Sequence, residues 1–243
     1  MRTSRVRAIA TKDLRIYYAK GPVVIFGVLV PAFFFLAFTM GRDLSGAHLA
    51  SGLIGMALWF TATAVSPVIT PWETRDGTLA RLASAPISVG EILLGDVLAS
   101  AIAGAAITAV AAVGIVLLLG LAVPHPVVLA AGVVLAALGF SALGVLLAAI
   151  PTDRTSDVMM LATLVKFPVI FVSGIFVPVE ELPALARPVA YLSPLTYFVQ
   201  TTRYAFGDTT RIGVWLVGLA MFFVAALALA VWVHRRTMPV RLA

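Results

Sequence analysis

Long apolar runs, each closed by charged, proline or glycine residues, dominate the sequence. Six of them are long enough to cross a membrane, because a spanning helix needs about 20 mostly apolar residues. They cover residues 23–40, 52–69, 97–122, 127–150, 158–177 and 212–233, and they are numbered here as spans one to six. The pattern predicts an all-α integral membrane protein with six transmembrane helices.

The composition agrees with this pattern, and the distribution of the charges predicts the orientation of the chain in the membrane. The chain has 243 residues, of which 61% are hydrophobic and 12% charged, and these values exclude an ordinary soluble enzyme and a disordered chain. Of its 17 lysines and arginines, twelve fall on the side that carries both termini, four on the other side, and Lys166 inside span five. Because cytoplasmic segments carry the excess of basic residues, both termini are predicted to be cytoplasmic. The net charge of +6 then reflects topology and anionic lipid, with no role for nucleic acid.

The chain is predicted to form a single transmembrane domain. Residues 1–21 would hold a cytoplasmic interfacial helix, 22–178 spans one to five, 179–211 an external re-entrant segment, and 212–243 the last span and a cytoplasmic tail. Within the first segment, residues 5–18 place apolar side chains on one arc and Lys12 and Arg15 opposite, with Asp13 as the exception. A basic anchor that only obeys the topology rule explains this segment equally well.

Two connections look more structured than simple loops. Residues 71–88, after span two, mix charged side chains with Leu79 and Leu82, which suits a short amphipathic helix, although a solvated connection fits about as well. Ser88 and Glu91 form a capping-box pattern ahead of span three. Between spans five and six, Ser193-Pro194 begins a largely apolar helical piece, which is expected to dip back into the outer leaflet and pack against the spans.

Within the predicted spans, most of the notable residues are typical of helix packing and not of a catalytic or binding site. Small residues recur every four positions in span three, at Ser100, Gly104, Thr108 and Ala112, and predict close helix contact. The aromatic run 33–35 is expected to face lipid, or alternatively a hydrophobic substrate. Lys166 is costly in lipid and should face a cavity, a partner or a route to the interface, in a functional or a structural role. Thr163 and Ser173 are expected to share its helix face.

The residues that the chain lacks exclude several functions. It has no cysteine, so disulfides and thiolate metal sites are excluded, and its histidines do not lie where a metal or haem would be held. No carboxylate sits at a span centre, as a proton relay would require. The lysines do not stand in the Gly-Lys-Ser/Thr context of a P-loop, so the chain does not bind ATP by that device. We therefore expect a protein that is not an enzyme and binds no cofactor.

Two stretches resemble the membrane permease of type-2 ABC exporters, a class that includes bacterial drug, lipid and polysaccharide exporters. The first comprises Glu73, Gly77-Thr78-Leu79, Leu82, Pro86, Ser88, Glu91 and Gly95, and the second comprises Ser173-Gly174, Phe176, Pro178, Leu182-Pro183, Pro194-Leu195-Thr196-Tyr197 and Arg203. The chain departs from the family pattern at Ala80, a position that is often acidic, and at Asp96, where lysine is common.

The resemblance implies a multi-pass permease of the plasma (inner) membrane that exports a hydrophobic or amphipathic compound such as a drug or lipid. It implies a second permease, identical or related, and a cytoplasmic ABC ATPase dimer that holds the ATP and Mg²⁺. The residues expected to couple to the ATPase are Glu73, Arg75, Asp76, Gly77, Thr78 and Arg81, with Lys12, Asp13 and Arg15 on the interfacial helix. Candidate path residues are Thr163, Lys166, Phe171 and Ser173, and the candidate external gate residues are Pro178, Pro194 and Tyr197.

Other functions stay open on the sequence alone. Within the same family, the runner-up is a permease for lipid-linked polysaccharide. Outside it, a secondary transporter would be expected to show inverted halves, broken helices and an in-membrane carboxylate, none of which is evident in the sequence. A membrane assembly factor without an ATPase is the remaining alternative, and copurification with an ATPase would distinguish it.

Overall fold

The computed structural model describes residues 2–18, 21–152, 154–208 and 213–242, and the regular structure in these ranges is helical. This confirms the all-α prediction. The helices are α1 (Arg2–Asp13), α2 (Gly21–Thr39), α3 (Gly46–Ala62), α4 (Ser66–Arg75), α5 (Thr78–Ser84), α6 (Val89–Leu119), α7 (Pro126–Leu147), α8 (Thr155–Val172), α9 (Ala186–Ala190), α10 (Pro194–Ala205) and α11 (Gly213–Leu242). Lys20, Asp153, Arg211 and Ile212, used above to assign charges and boundaries, lie outside the described residues.

Within the described residues, five helical stretches are long and apolar enough to cross a membrane. They are residues 46–75, formed by α3 and α4, together with α6, α7, α8 and most of α11. Helix α2 corresponds to predicted span one and has 19 residues. The count of six spans and the cytoplasmic position of the termini stay predictions.

Helix α1 and the last turns of α11 lie at the same end of the helix bundle. Arg5 of α1 and Arg235 of α11 line one cavity there, and we name this end, which carries α1, α5 and the last turns of α11, the basic end. At the opposite end, Arg42 Nη1 donates a hydrogen bond to the Phe176 carbonyl at 3.1 Å, and the His125 ring stacks on Tyr204 with centroids 4.7 Å apart. The helices between them therefore run from one end to the other.

Predicted span two is broken, and the expectation of one helix over residues 52–69 is wrong in this respect. Helix α3 ends at Ala62 and α4 begins at Ser66, with Pro67 in its first turn. Proline has no N–H to donate to the preceding turn. Hydroxyl groups bond to the backbone at the break: Ser66 Oγ and, from α6, Ser100 Oγ donate to the Ala62 carbonyl at 3.0 and 2.8 Å. The break is thus anchored to the neighbouring helix.

Helix α6 begins at Val89, eight residues before predicted span three. The capping box is present as expected, with Ser88 as the N-cap and reciprocal bonds to Glu91. Ser100, Gly104, Thr108 and Ala112 are all buried, which confirms the predicted packing face. A Cβ added at Gly104 would lie 3.3 Å from Ala62 Cα, so α6 approaches the backbone of α3 directly beside the break.

The core lies where α3, α7 and α10 meet. Trp59 packs edge-on against Phe140 with ring centroids 4.8 Å apart, and Phe140 meets Phe198 at 6.2 Å. In the aromatic run of span one, Phe33 is 69% exposed, which suits either lipid or a hydrophobic substrate, whereas Phe35 is 1% exposed, so the expectation of an outward face is wrong for it. Phe35 belongs to the core because it packs on Phe176 of the segment after α8.

Candidate functional site

Three predicted site residues meet at the basic end. Lys12 Nζ lies 2.9 Å from Asp13 Oδ1 and forms a second ion pair with Glu73, which lies at the end of α4. The side chains of Asp13 and Glu73 are buried, whereas Lys12 is partly exposed. A single ammonium group therefore joins α1 to α4. The sequence did not predict this contact, because the two residues are 61 positions apart.

The two carboxylates keep this ammonium charged. Burial disfavours the charged form of Lys12, but Glu73 and Asp13 outweigh burial and raise its pKa above the ordinary value. Burial, followed by the charge of Glu73, raises the pKa of neighbouring Tyr17 to about 12, so its hydroxyl stays neutral. The Lys12 ammonium group is therefore charged at neutral pH, while burial, opposed by the charge of Lys12, raises the pKa of the Glu73 carboxyl group.

Asp96 of α6 lies beneath this cluster. It is buried next to Gly95, where α6 packs against α1. This residue is one of the two departures from the family pattern noted above. The structure places it in the contact between α6 and α1, away from the exposed coupling residues.

The exposed part of the site is a notch with an aromatic wall and a charged rim. Its cavity of about 370 Å³ is lined by Lys12, Ile16, Tyr17, Trp72, Arg75, Asp76 and Thr78, which we name the basic-end surface. Tyr17 stacks on Trp72 with ring centroids 5.4 Å apart. Arg75 and Asp76 are more than half exposed and pair with each other at 3.3 Å. Such a surface offers stacking, hydrogen bonding and both signs of charge to a protein partner.

The backbone turns sharply from α4 into α5 at Gly77. Its φ of +69° is in the left-handed region, which glycine enters without a side-chain penalty. Leu79 is buried and anchors α5, while Arg81 is exposed. The predicted short amphipathic helix within residues 71–88 is therefore confirmed as α5, preceded by the last turn of α4.

Helix α1 crosses α6 at Gly95. A Cβ built at Gly95 would lie 2.6 Å from Ile9 Cβ and 3.3 Å from the Val6 carbonyl oxygen, so only glycine permits this approach. Arg5 fixes the other side of α1 by donating from its guanidinium to the Pro86 carbonyl. The single helix predicted over residues 5–18 ends at Asp13 and continues as a π-helical turn, Leu14–Tyr18, on which Arg15 is exposed.

The four candidate path residues do not form one site. Lys166 is buried on the row Val158, Ala162 and Ile170 of α8, so it faces away from lipid as expected, and it packs toward the chain's own helices. Thr163 is exposed and bonds the Met159 carbonyl, so the prediction that it shares the face of Lys166 is wrong. Phe171 is 49% exposed, whereas Ser173 is buried beyond the end of the helix. Helical spacing says nothing about the side on which Ser173 lies, because α8 ends at Val172.

The candidate gate residues lie at the opposite end of the bundle. Pro194 is buried at the first turn of α10, and the Tyr197 hydroxyl donates to the Tyr191 carbonyl at 2.6 Å. The Tyr197 ring lies 6.1 Å from Trp215 of α11, while Pro178 is half-buried before a short 3₁₀ turn. Most of α10 is buried between α3, α7 and α11, so the segment packs against the spans as predicted.

Ion pairs hold this external segment together. Arg203 of α10 bonds Glu180 at 3.1 Å and Asp208 at 2.7 Å. Partial burial opposes the charge of Glu180, but its own backbone N–H and Arg203 outweigh burial and lower its pKa. Burial likewise opposes the charge of Arg203, but its two acidic partners raise its pKa. The segment after α8 is thereby tied to α10.

A bundle of membrane-length helices, with a structured patch at one end and the buried short helix α10 at the other, defines an integral membrane protein. The family comparison gives the same class. The family model described as ABC-2 type transporter matches residues 6–206, and the chain belongs to this family. No curated protein matches the sequence. Membership in the family implies an ABC ATPase partner in general.

Proposed function

We propose that this chain is the permease subunit of an ATP-driven exporter, in which a separate ABC ATPase dimer holds the ATP and Mg²⁺. The observation that carries the proposal is the basic-end surface. It is exposed, it contains stacked aromatic and charged side chains, and its backbone is fixed by the Gly77 turn and the buried Leu79. The ATPase dimer docks on this surface from the cytoplasm.

The bonds around Lys12 make α1 and α4 move together. A partner that displaces α5 also displaces α4, because the two helices are joined by a two-residue turn. Lys12 transmits the movement to α1 through its bond to Glu73. The break between Ala62 and Ser66 is the point where α4 changes its angle to α3. Each nucleotide state of the ATPase then favours one arrangement of the pair.

The membrane side of the proposal concerns α8. Its outward row includes Met160 and Leu164, which are 74% and 70% exposed, together with half-exposed Phe171. A second permease, identical or related, faces this row, and a hydrophobic or amphipathic compound such as a drug or lipid moves outward between the two. Apolar side chains are suited to such a compound because they contact its apolar surface without requiring hydrogen bonds from it.

The test removes the exposed charges of the docking surface and leaves its buried anchors. The ABC ATPase that copurifies with the wild-type chain is first identified. The variant Arg75→Gln/Asp76→Asn/Arg81→Gln is then co-expressed with this ATPase, and the complex is placed in vesicles. We expect copurification and substrate-stimulated ATP hydrolysis to fall at least tenfold, since several interfacial contacts of about 0.5 kcal/mol or more are lost together.

The control variant carries Asp43→Asn and Glu181→Gln, which are exposed acidic residues at the opposite end. It should keep both copurification and hydrolysis. Unchanged hydrolysis in the triple variant, with normal expression, would show that the ATPase does not dock on the basic-end surface.

A further inference from the structure

A second cavity at the basic end combines a basic mouth with an apolar wall. It has a volume of about 960 Å³ and lies between α1, the first turns of α6 and the end of α11. Arg5, Arg7 and Arg235 line its mouth, and Leu94, Leu98 and the half-exposed Ile102 line its wall on α6. It is separate from the basic-end surface, because the two cavities share no lining residue.

The apolar wall is a single stripe along α6. Leu94, Leu98 and Ile102 recur every four residues and so lie on one helix face. Eight residues of helix rise about 12 Å, which is most of the roughly 15 Å hydrocarbon depth of one leaflet. The stripe continues into the exposed side chains Val110 and Leu117, the outward face of α6. The cavity therefore opens sideways, toward the region that lipid chains occupy.

The depth of the arginines follows from α11. Trp232 lies 19 residues after the start of this helix at Gly213, a rise of about 29 Å that matches the roughly 30 Å hydrocarbon thickness. Trp232 is half-exposed and carries the Arg236 guanidinium 4.2 Å from its ring centroid, as interfacial tryptophans do. Arg235 comes one turn later and so lies at the level of lipid headgroups.

The charge in the cavity favours an anion. Glu91 is the acidic residue that lines it, and its Oε2 is occupied by the Ser88 N–H and hydroxyl, at 2.8 Å each. Arg7 and Arg235 are exposed, so their guanidinium groups can reach a phosphate at the mouth. Arg5 is held in place by its bond to the Pro86 carbonyl.

We propose that this cavity binds one anionic phospholipid of the leaflet at the basic end, with its phosphate at Arg7 and Arg235 and an acyl chain along Leu94, Leu98 and Ile102. The bound lipid fills the space under α1 and fixes the angle at which α1 crosses α6. This site is distinct from the proposed transport path on α8.

The experiment measures lipid binding to the purified full-length chain in detergent by native mass spectrometry. Phosphatidylglycerol and phosphatidylcholine with identical acyl chains are titrated separately. We expect a clear preference for phosphatidylglycerol. The variant Arg7→Gln/Arg235→Gln should weaken phosphatidylglycerol binding about 25-fold, at about fivefold for each arginine, and should weaken binding of zwitterionic phosphatidylcholine much less.

Two further variants make the result specific. Arg154→Gln/Arg236→Gln removes the same number of charges outside the cavity and should keep the preference. Ile102→Trp fills the acyl stripe and should weaken both lipids severalfold while the headgroup preference stays. Glycerol phosphate, which has the headgroup chemistry and no acyl chain, should fail to displace the lipid.

The proposal is overturned if the wild-type chain binds both lipids equally, if the control variant loses the preference as much as Arg7→Gln/Arg235→Gln, or if Ile102→Trp affects neither lipid. If glycerol phosphate alone displaces bound phosphatidylglycerol, the cavity is a site for a soluble anion and the lipid proposal is wrong. Because the measurement involves no ATP and no transport, its failure is distinguishable from failure of the proposed function.

Discussion

Lys12 shows what a single residue contributes and what its sequence context can and cannot reveal. Its place on a basic, amphipathic segment predicted a position at the membrane surface, and Glu73 stood in a motif of the family. Nothing in the sequence indicated that the two bond each other across 61 positions. Trp72 and Tyr17 were also missed as site residues, although aromatic side chains beside charges at the end of an apolar run are typical interface residues.

Exchanging the charges of Lys12 and Glu73 tests their bond. Lys12→Glu alone leaves buried carboxylates without a cation, a change that costs about 3 to 5 kcal/mol. We expect this variant to unfold at lower temperature and to lose coupled ATP hydrolysis, and the double variant Lys12→Glu/Glu73→Lys to recover most of both.

Thermal unfolding in detergent and ATPase assays of the complex provide the measurements. Arg75→Gln breaks the exposed pair with Asp76 and should cost no more than about 1 kcal/mol, so its unfolding temperature serves as the reference. If Lys12→Glu and the double variant lose unfolding temperature and ATP hydrolysis equally, the bond between Lys12 and Glu73 is contradicted.

Glu180 gives a prediction about acidity at the opposite end. Its pKa is lowered in the folded chain, so its contribution to stability is present above the unfolded pKa and disappears as the pH falls through the folded value. Glu180→Gln should therefore be less stable than the wild type near about pH 7, and the difference should shrink as the pH falls below about 4, the ordinary range of a glutamate carboxyl group. Thermal unfolding of both proteins across this range measures it, and a difference independent of pH would refute it.

At the scale of elements, hydropathy predicted where membrane helices lie and not how they end or break. The helix break at residues 63–65 escaped prediction because Pro67 stands in an apolar run that reads as one continuous span. The start of α6 was placed at 97 although the capping box at Ser88 marked it correctly, since residues 89–96 include Glu91 and Asp96. Caps located this boundary better than hydropathy did.

Two glycines of α6 form a matched pair for testing the crossing with α1. An added methyl at Gly95 meets Ile9, whereas one at Gly114 meets nothing within 4 Å. Gly95→Ala should destabilise the protein by about 1 to 3 kcal/mol through overpacking and reduce coupled ATP hydrolysis. Gly114→Ala should be neutral or gain up to about 1 kcal/mol from helix propensity.

Unfolding temperature and ATPase activity of the two variants give the comparison. If Gly95→Ala proves as stable and active as Gly114→Ala, then α1 does not depend on this contact.

For the whole molecule, hydropathy and the family motifs together predicted the all-helical membrane class, whereas the orientation given by the positive-inside rule stays a prediction. What they left open is the internal arrangement: Phe35 in the core, Thr163 outside it, and Lys166 facing protein. These depend on which helix neighbours which, and the sequence alone carries little information about that in a membrane, where lipid and core are equally apolar.

The absence of cysteine allows the topology to be tested cleanly. Ser84 and Asp43 are exposed at opposite ends of the bundle, and each is replaced by cysteine in the otherwise cysteine-free chain. In intact cells, a membrane-impermeant maleimide should label Asp43→Cys and should label Ser84→Cys only after permeabilisation. The reverse pattern, or labelling of both without permeabilisation, would contradict cytoplasmic termini.

The hydroxyl-anchored break between α3 and α4 has a thermodynamic consequence. One side of it, α3, is packed into the core beside α10, and the other side, α4, carries Trp72 and Arg75 of the basic-end surface. If a compound bound among the helices shifts the angle at the break, it changes the affinity of the surface for the ATPase, and linkage requires the ATPase to change the affinity for the compound by the same factor. Transport and docking would then share one coupling free energy, set at residues 63–65.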